Sequence, residues 1–167
     1  MERGKYYLTP FTLDHVDEVT DNLSNENKRE LALMGRSDVR AALIEMYESS
    51  ECYLARREGG KFIFVGGLWY SNQDAPQMFA MFSDDLKDNF ISIARGSKML
   101  VNQFDKTEDT MTMSILADYE GMINWATWLG FQPIGVSLSH SVKYVDFVRC
   151  NLNQNNVYDI ASRPVVH

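Results

Sequence analysis

Cysteine is nearly absent from these 167 residues: there are two, Cys52 and Cys150. Each lies in an apolar run, so both are expected as buried free thiols. A small disulfide scaffold of the secreted kind needs far more and is excluded. Proline is also scarce, at four residues, and no Pro/Gly/Ser-rich linker interrupts the chain. That absence leaves one continuous domain as the expectation. No apolar run reaches the ~18 residues that mark a membrane span. The opening MERGKYYLTPF carries charges but no apolar core segment, so no secretory signal is expected. Positive charge is in deficit as well, with 16 Lys and Arg against 23 Asp and Glu, a net charge of −7. A general nucleic-acid binder needs a basic face to neutralise phosphates, which this balance argues against. There is no metal-ligand cluster, no Gly-x-Ser-x-Gly elbow and no P-loop.

What is present is apolar mass with clear periodicity. Hydrophobic residues make up 45% of the chain, enough for a sizeable core. Residues 5–9 alternate and end at Pro10, which predicts a strand. Leu13, Val16, Val19, Thr20 and Leu23 recur at helical spacing, with Thr12 as a candidate cap. A second helical piece over 26–34 stops at Gly35, and Ser37 is placed to cap a third over 38–47. A meander follows, with strands over 51–56 and 61–70 about a Glu58-Gly59-Gly60 turn. Gly66 and Gly67 interrupt the second of these strands, which predicts a bulge or a close backbone approach. A strand over 77–83, a helix over 89–104, a strand over 110–116 and a helix over 120–129 come next. That last helix is closed by Gly130. Strands over 131–138 and 144–151 form a terminal antiparallel pair. The expectation is an α/β domain over 1–152, with a mixed, mostly antiparallel sheet and helices on both faces, and a polar tail over 153–167.

That element order resembles the GNAT (N-acetyltransferase-related) superfamily. Residues 62–68, FIFVGGL, look like the third strand of that fold, and residues 128–131, WLGF, look like the end of its fourth helix. Within the superfamily, residues 79–84, FAMFSD, the long helix and the WLGF close are similar to a GNAT-like family of short-tailed bacteriophages that includes an internal virion protein. The superfamily resemblance runs from about residue 5 to residue 150.

The resemblance also says where an acetyl-CoA site would lie, and the residues depart from its pattern. GNAT enzymes hold the pyrophosphate on a glycine-rich turn before the third helix, where backbone N–H groups and the helix dipole face the phosphates. The equivalent stretch, residues 83–89 (SDDLKDN), has no glycine and three aspartates, Asp84, Asp85 and Asp88. The resemblance implies cofactor contacts at Met81, Phe82 and Ser83, with Lys87, Arg95 and Lys98 as cations that reach a phosphate and Asn124 as a substitute for the cofactor-binding Asn. Gly96 reads as a close-packing position within the helix. The position of the general-acid tyrosine holds Ala126 and that of the asparagine holds Tyr119, which leaves Tyr119 as the nearest candidate acid. Asp118 is a candidate base, and equally an N-cap. Asp84 and His140 are further carboxylate and imidazole candidates. His15 reads as a surface residue. The tryptophans read as core mass, and nine methionines as adaptable packing or an oily contact surface.

Three departures from the catalytic pattern favour a phage-type virion or assembly component with little or no acyl transfer. On that reading no cofactor is expected, the partners are proteins such as other virion proteins, and the location is the host cytoplasm or the virion. The alternative is an acetyl-CoA-dependent N-acetyltransferase acting on an amine, with main-chain N–H groups near Met81 to Ser83 stabilising the oxyanion. A third reading is a phage protein that inhibits a host factor through its acidic face.

Overall fold

The computed structural model describes residues 5–70, 75–85 and 90–151. Strand β1 (Tyr6–Pro10) leads into a 3-10 turn (Leu13–His15) and helices α1 (Val16–Asn22), α2 (Asn25–Leu33) and α3 (Val39–Ser49). The meander β2 (Ser50–Arg57), β3 (Phe62–Trp69) and β4 (Gln77–Phe82) follows. Then come α4 (Phe90–Phe104), β5 (Thr110–Leu116), α5 (Glu120–Trp128), β6 (Gln132–Ser139) and β7 (Val142–Cys150). The expected boundary at 152 and the tail over 153–167 lie outside the described residues.

The strands form one seven-stranded sheet in the order β1-β2-β3-β4-β5-β7-β6. Every neighbouring pair is antiparallel except β4 and β5, which are parallel. This follows from the connections: a tight turn joins β2 to β3, whereas α4 crosses over between β4 and β5. Helices cover both faces. On one, α1 and α3 bury Val16, Val19 and Leu43 against Leu54 and Val65. On the other, α4 and α5 bury Ile93, Leu100, Phe104 and Ala126 against Phe64, Met78, Met113 and Phe147. The alternation of side chains along each strand feeds both layers. No helix among the described residues is long and apolar enough to cross a membrane.

Local chemistry explains the ends and corrects some expectations. Ser24 caps α2, its side chain accepting from the Asn27 N–H, and Gly35 follows the helix with φ +75°. The cap of α3 is Asp38, which accepts from the Ala41 N–H at 3.1 Å, so Ser37 lies one residue too early. Thr12 starts the 3-10 turn, where its N–H donates to His15 Nδ1 at 3.0 Å, giving His15 a structural partner. His140 and Ser141 both have positive φ, as a type I′ hairpin turn requires. The bulge of β3 falls where Ala55 and Arg56 shift register, at Ile63 rather than at the glycine pair. Gly66 and Gly67 serve close approach instead: a Cβ on Gly67 would lie 2.6 Å from the Glu51 carbonyl oxygen and 2.8 Å from Cys52 Cβ. Gly96 brings α4 down onto Phe64, where an added Cβ would lie 2.6 Å from its ring.

Cys52 is buried as expected, but Cys150 is exposed. It shares a strand face with Asp146 and Val148 on β7, on the side where Ser114, Ser137 and Asp146 hydrogen-bond to one another. An apolar neighbourhood in sequence does not bury a residue on a sheet face of this polar character.

Candidate functional site

The site begins with the phase of one ladder. The Ser83 N–H donates to the Ile63 carbonyl at 2.9 Å. Antiparallel pairs alternate in their bonding, so the odd-numbered residues of β4 bond to β3. The even-numbered ones turn their N–H and C=O groups towards β5. Yet β5 meets β4 at a single register pair, Gln77 with Thr112, secured by a 2.9 Å bond from the Thr112 N–H to the Pro76 carbonyl. Beyond that pair the two strands part. The carbonyl of Met78 and both backbone groups of Ala80 face the gap.

The far end of β4 is closed by the start of α2. The Phe82 N–H donates to Asn27 Oδ1 at 2.8 Å, and the Phe82 carbonyl accepts from the Ser24 N–H at 2.9 Å. Leu23 bridges to Ser83, and the Asp84 N–H donates to the Asn22 carbonyl. The chain around Leu23 thus stands in for a neighbouring strand along the last residues of β4. Asn27 is itself buried and also accepts from the Ser24 hydroxyl at 2.8 Å. On the surface, Arg29 of α2 pairs with Asp118, just before α5, at 2.7 Å, which ties the two walls of the gap together.

The gap opens into a cleft of about 170 Å3. One wall is the inner stripe of α2, with Asn27, Glu30, Leu31 and Met34. The floor is β4 from Gln77 to Met81, and the far wall comes from β5 and α5, with Met113, Ile115, Tyr119, Met122 and Trp125. Tyr144 of β7 completes the lining. Glu30 is half-buried, and that desolvation holds its carboxyl above the usual carboxylate range, opposed in part by a hydrogen bond from Asn27. Burial, with a smaller contribution from the charge of Glu30, raises the Tyr144 phenol. The Trp125 indole donates to the buried Ser97 hydroxyl at 2.9 Å and meets the Phe82 ring edge-on.

Of the residues singled out from sequence, Met81 and Tyr119 line this cleft. Phe82 and Ser83 sit at its end with their N–H groups committed to Asn27 and Ile63, and the phase of the ladder turns the Met81 N–H towards β3. The oxyanion donors expected at these three positions are therefore engaged, and the N–H that faces the gap is that of Ala80. Tyr119 is the N-cap residue of α5, without a side-chain capping bond. Asp118 is thus not the cap: it is exposed, and the guanidinium of Arg29 holds its carboxyl below the usual range. Asn124 is exposed and lines no part of the cleft.

Arg95 and Lys98 lie on the outer face of α4, in a separate shallow concavity with Tyr6 and Trp128, and Lys98 stacks 4.8 Å over the Trp128 ring. Lys87 and Asp88 lie outside the described residues. Asp84 and Asp85 share Lys61 as counter-ion, at 2.9 and 3.0 Å. Ala126, at the tyrosine position of the GNAT pattern, is wholly buried. His140 occupies the tight turn between β6 and β7. Sequence reasoning missed Asn27, Glu30 and Tyr144. A signal existed for the first two: Asn27, Glu30, Leu31 and Met34 fall at i, i+3, i+4 and i+7, a core-facing stripe with two polar members.

No family model and no curated protein sequence matches the chain. Solved structures do. The aminoglycoside acetyltransferase AAC(6')-Ib, in complex with ribostamycin and coenzyme A, superposes with a TM-score of 0.70 at 12% identity, covering 97% of this chain and 99% of that one. The ribosomal-protein-S5-alanine acetyltransferase of Vibrio fischeri gives 0.66 at 11% identity, over 92% of this chain and 97% of its own. The fold is that of the GNAT acetyltransferases. A chimera of the Vibrio cholerae spermidine N-acetyltransferase SpeG agrees, at 0.64 and 10% identity, over 89% of this chain and 99% of that one. None of these three is a virion protein. The likeness covers about nine-tenths of this chain or more in each case, and so concerns the fold as a whole.

Proposed function

We propose that the chain is an N-acyltransferase that moves an acyl group from a coenzyme A thioester to an amine. The observation that carries this reading is the parting of β4 and β5, which leaves the backbone of Ala80 facing a cleft that holds a desolvated carboxylate, Glu30, and two phenols. The expectation of no cofactor has no support, because AAC(6')-Ib, which shares the fold, is solved with coenzyme A.

The residues fit the acyl-bearing arm of such a thioester. An extended amide chain laid along β4 finds the Met78 carbonyl and the N–H and carbonyl of Ala80 where a strand would pair. The phosphate end is less well served. Its described part carries Asp84 and Asp85, which both pair with Lys61. When bound, the thioester supplies an activated acyl carbon with a thiolate leaving group. Glu30 takes the proton of the amine, and its raised pKa brings it nearer the working range of a base at neutral pH. The Ala80 N–H faces the gap where the acyl end of the arm lies, and it is kept for charge developing on the acyl oxygen, which leaves the Met78 and Ala80 carbonyls to the amides of the arm. Tyr119 holds a proton on the α5 wall for the departing sulfur. Tyr144, which feels the charge of Glu30, stands on the amine side. Asn27 fixes the α2 wall against β4.

Calorimetry with acetyl-CoA tests the reading. The arm contacts, offset by the acidic phosphate end, set an expected Kd of about 0.1 mM, or about 5.5 kcal/mol. Replacing Asp84 and Asp85 by Gly tightens it. No saturable heat at millimolar acetyl-CoA, together with no acetylation of any amine, overturns the reading. The binding-only reading, a phage-type virion or assembly component with protein partners in the virion or host cytoplasm, then takes its place. Two observations favour that second reading: the acidic turn held by Lys61, and Ala126 buried where the pattern places an acid.

A further inference from the structure

The chemistry of the cleft wall selects among amines, and this inference rests on the acyltransferase reading. Six of the nine methionines in the chain, Met34, Met46, Met78, Met81, Met113 and Met122, line this one cleft. Aromatic rings from Trp69, Phe79, Tyr119, Trp125 and Tyr144 fill most of the remaining lining. Thioethers and aromatic rings make favourable contacts with an aromatic ligand, and unbranched methionine side chains adapt to its shape. The polar members of the wall are largely engaged with the protein itself. Asn27 accepts from Phe82 and Ser24, the Ser50 hydroxyl donates to the Met46 carbonyl, and the Ser114 hydroxyl donates to Asp146. Arg36 pairs with Glu45 at 2.6 Å and lies over the Trp69 ring at 5.7 Å. That leaves Glu30 as the one carboxylate in the lining, and among the described residues no cation forms a salt bridge with it.

We infer that the acceptor is a primary amine carried on a single apolar ring, such as a small aryl-alkyl amine, with its ammonium on Glu30 and its ring among the methionines. A half-buried carboxylate without a cationic partner is costly, and an incoming ammonium supplies that partner. One carboxylate serves one cation, so a polyamine leaves its other charges in an apolar wall. A multi-ring aminoglycoside, with several ammonium groups, meets the same problem.

The test uses 2-phenylethylamine, 2-phenylethanol and spermidine as probes on the full chain, with the methionine methyls 13C-labelled. Without any thioester, 2-phenylethylamine shifts the methyl resonances of the cleft methionines and leaves Met99 and Met111 unmoved. Both of those lie outside the cleft lining. The alcohol, isosteric but uncharged, binds at least tenfold more weakly, and spermidine more weakly still. Glu30→Gln lowers affinity for the amine at least tenfold and brings it close to that of the alcohol. Tighter binding of spermidine, equal binding of amine and alcohol, or shifts confined to Met99 overturn the inference, and the spectra of the unmodified protein decide this even if the variant does not fold. Turnover with acetyl-CoA separates the two claims. Amine binding with no acetylation of any probe and no saturable heat with acetyl-CoA removes the acyltransferase reading and leaves the amine site standing. Acetylation of spermidine in preference to the aryl amine does the reverse.

Discussion

Asn27→Ala probes the joint on which the cleft is built. In the parent, one side-chain oxygen accepts both the Phe82 N–H and the Ser24 hydroxyl, each at 2.8 Å, and all three residues are under 5% exposed. Truncation leaves the buried Phe82 N–H without its acceptor. A buried donor left without an acceptor costs about 1–3 kcal/mol, while the Ser24 hydroxyl can rotate and recover part of its loss. The expected destabilisation is about 2–3 kcal/mol. For a chain of this size that lowers Tm by roughly 4–12 °C. Ser24→Ala removes the cap of α2 and costs about 1 kcal/mol. Because the Ser24 hydroxyl donates to Asn27, the double variant costs less than the sum of the singles, by about 0.5–1 kcal/mol. Urea unfolding of the four proteins measures these terms, and amide hydrogen exchange adds a residue-level readout. The Phe82 amide, which no strand partner protects, exchanges slowly in the parent and quickly in Asn27→Ala. Fast exchange in the parent, strict additivity, or a cost below about 0.5 kcal/mol for Asn27→Ala would refute the reasoning.

Glu30 offers a pH signature. Burial raises its pKa in the folded state, so the folded protein binds that proton more tightly than the unfolded chain. Stability is therefore lost as pH rises from the unfolded value, about 4.3, through the folded one. Glu30→Gln escapes this loss: its unfolding free energy exceeds that of the parent at pH 7 and matches it below about pH 4, while its acyl-transfer rate falls. Equal stabilities at both pH values count against a desolvated carboxylate. Gly67→Ala forces a Cβ to within 2.6 Å of the Glu51 carbonyl oxygen and costs at least about 2 kcal/mol in urea unfolding. Gly121→Ala, in α5 with nothing within 4 Å, instead gains up to about 1 kcal/mol, and reversal of that order breaks the close-approach argument. Of the two thiols, exposed Cys150 reacts with a maleimide at once. Burial pushes the thiol of Cys52 up to about 11, and it reacts only in denaturant. Two fast equivalents under native conditions contradict this packing.

Much of the fold was legible because its signals are local. The helical spacing of Phe90, Ile93, Ser97, Leu100 and Phe104, the alternation along β5 and the glycine after α5 each act within a few residues, and the elements fall within one to three residues of the expected bounds. The order of those elements was enough to imply a crossover between β4 and β5, and the pair is parallel. The departures from the GNAT pattern were equally plain, since Asp84, Asp85 and Ala126 stand where glycines and a tyrosine would. What the chain brings together across long separations was not legible. Asp118 reads as a cap next to its helix, yet Arg29 claims its carboxylate. Cys150 sits in an apolar run on a sheet face that also carries Ser114 and Asp146. Glu30 looks like any surface glutamate until α2 is laid along the gap, when loss of water alters its proton affinity. Periodicity says which face of a helix turns inward, but hydration depends on what stands opposite, and that is decided only when distant segments pack.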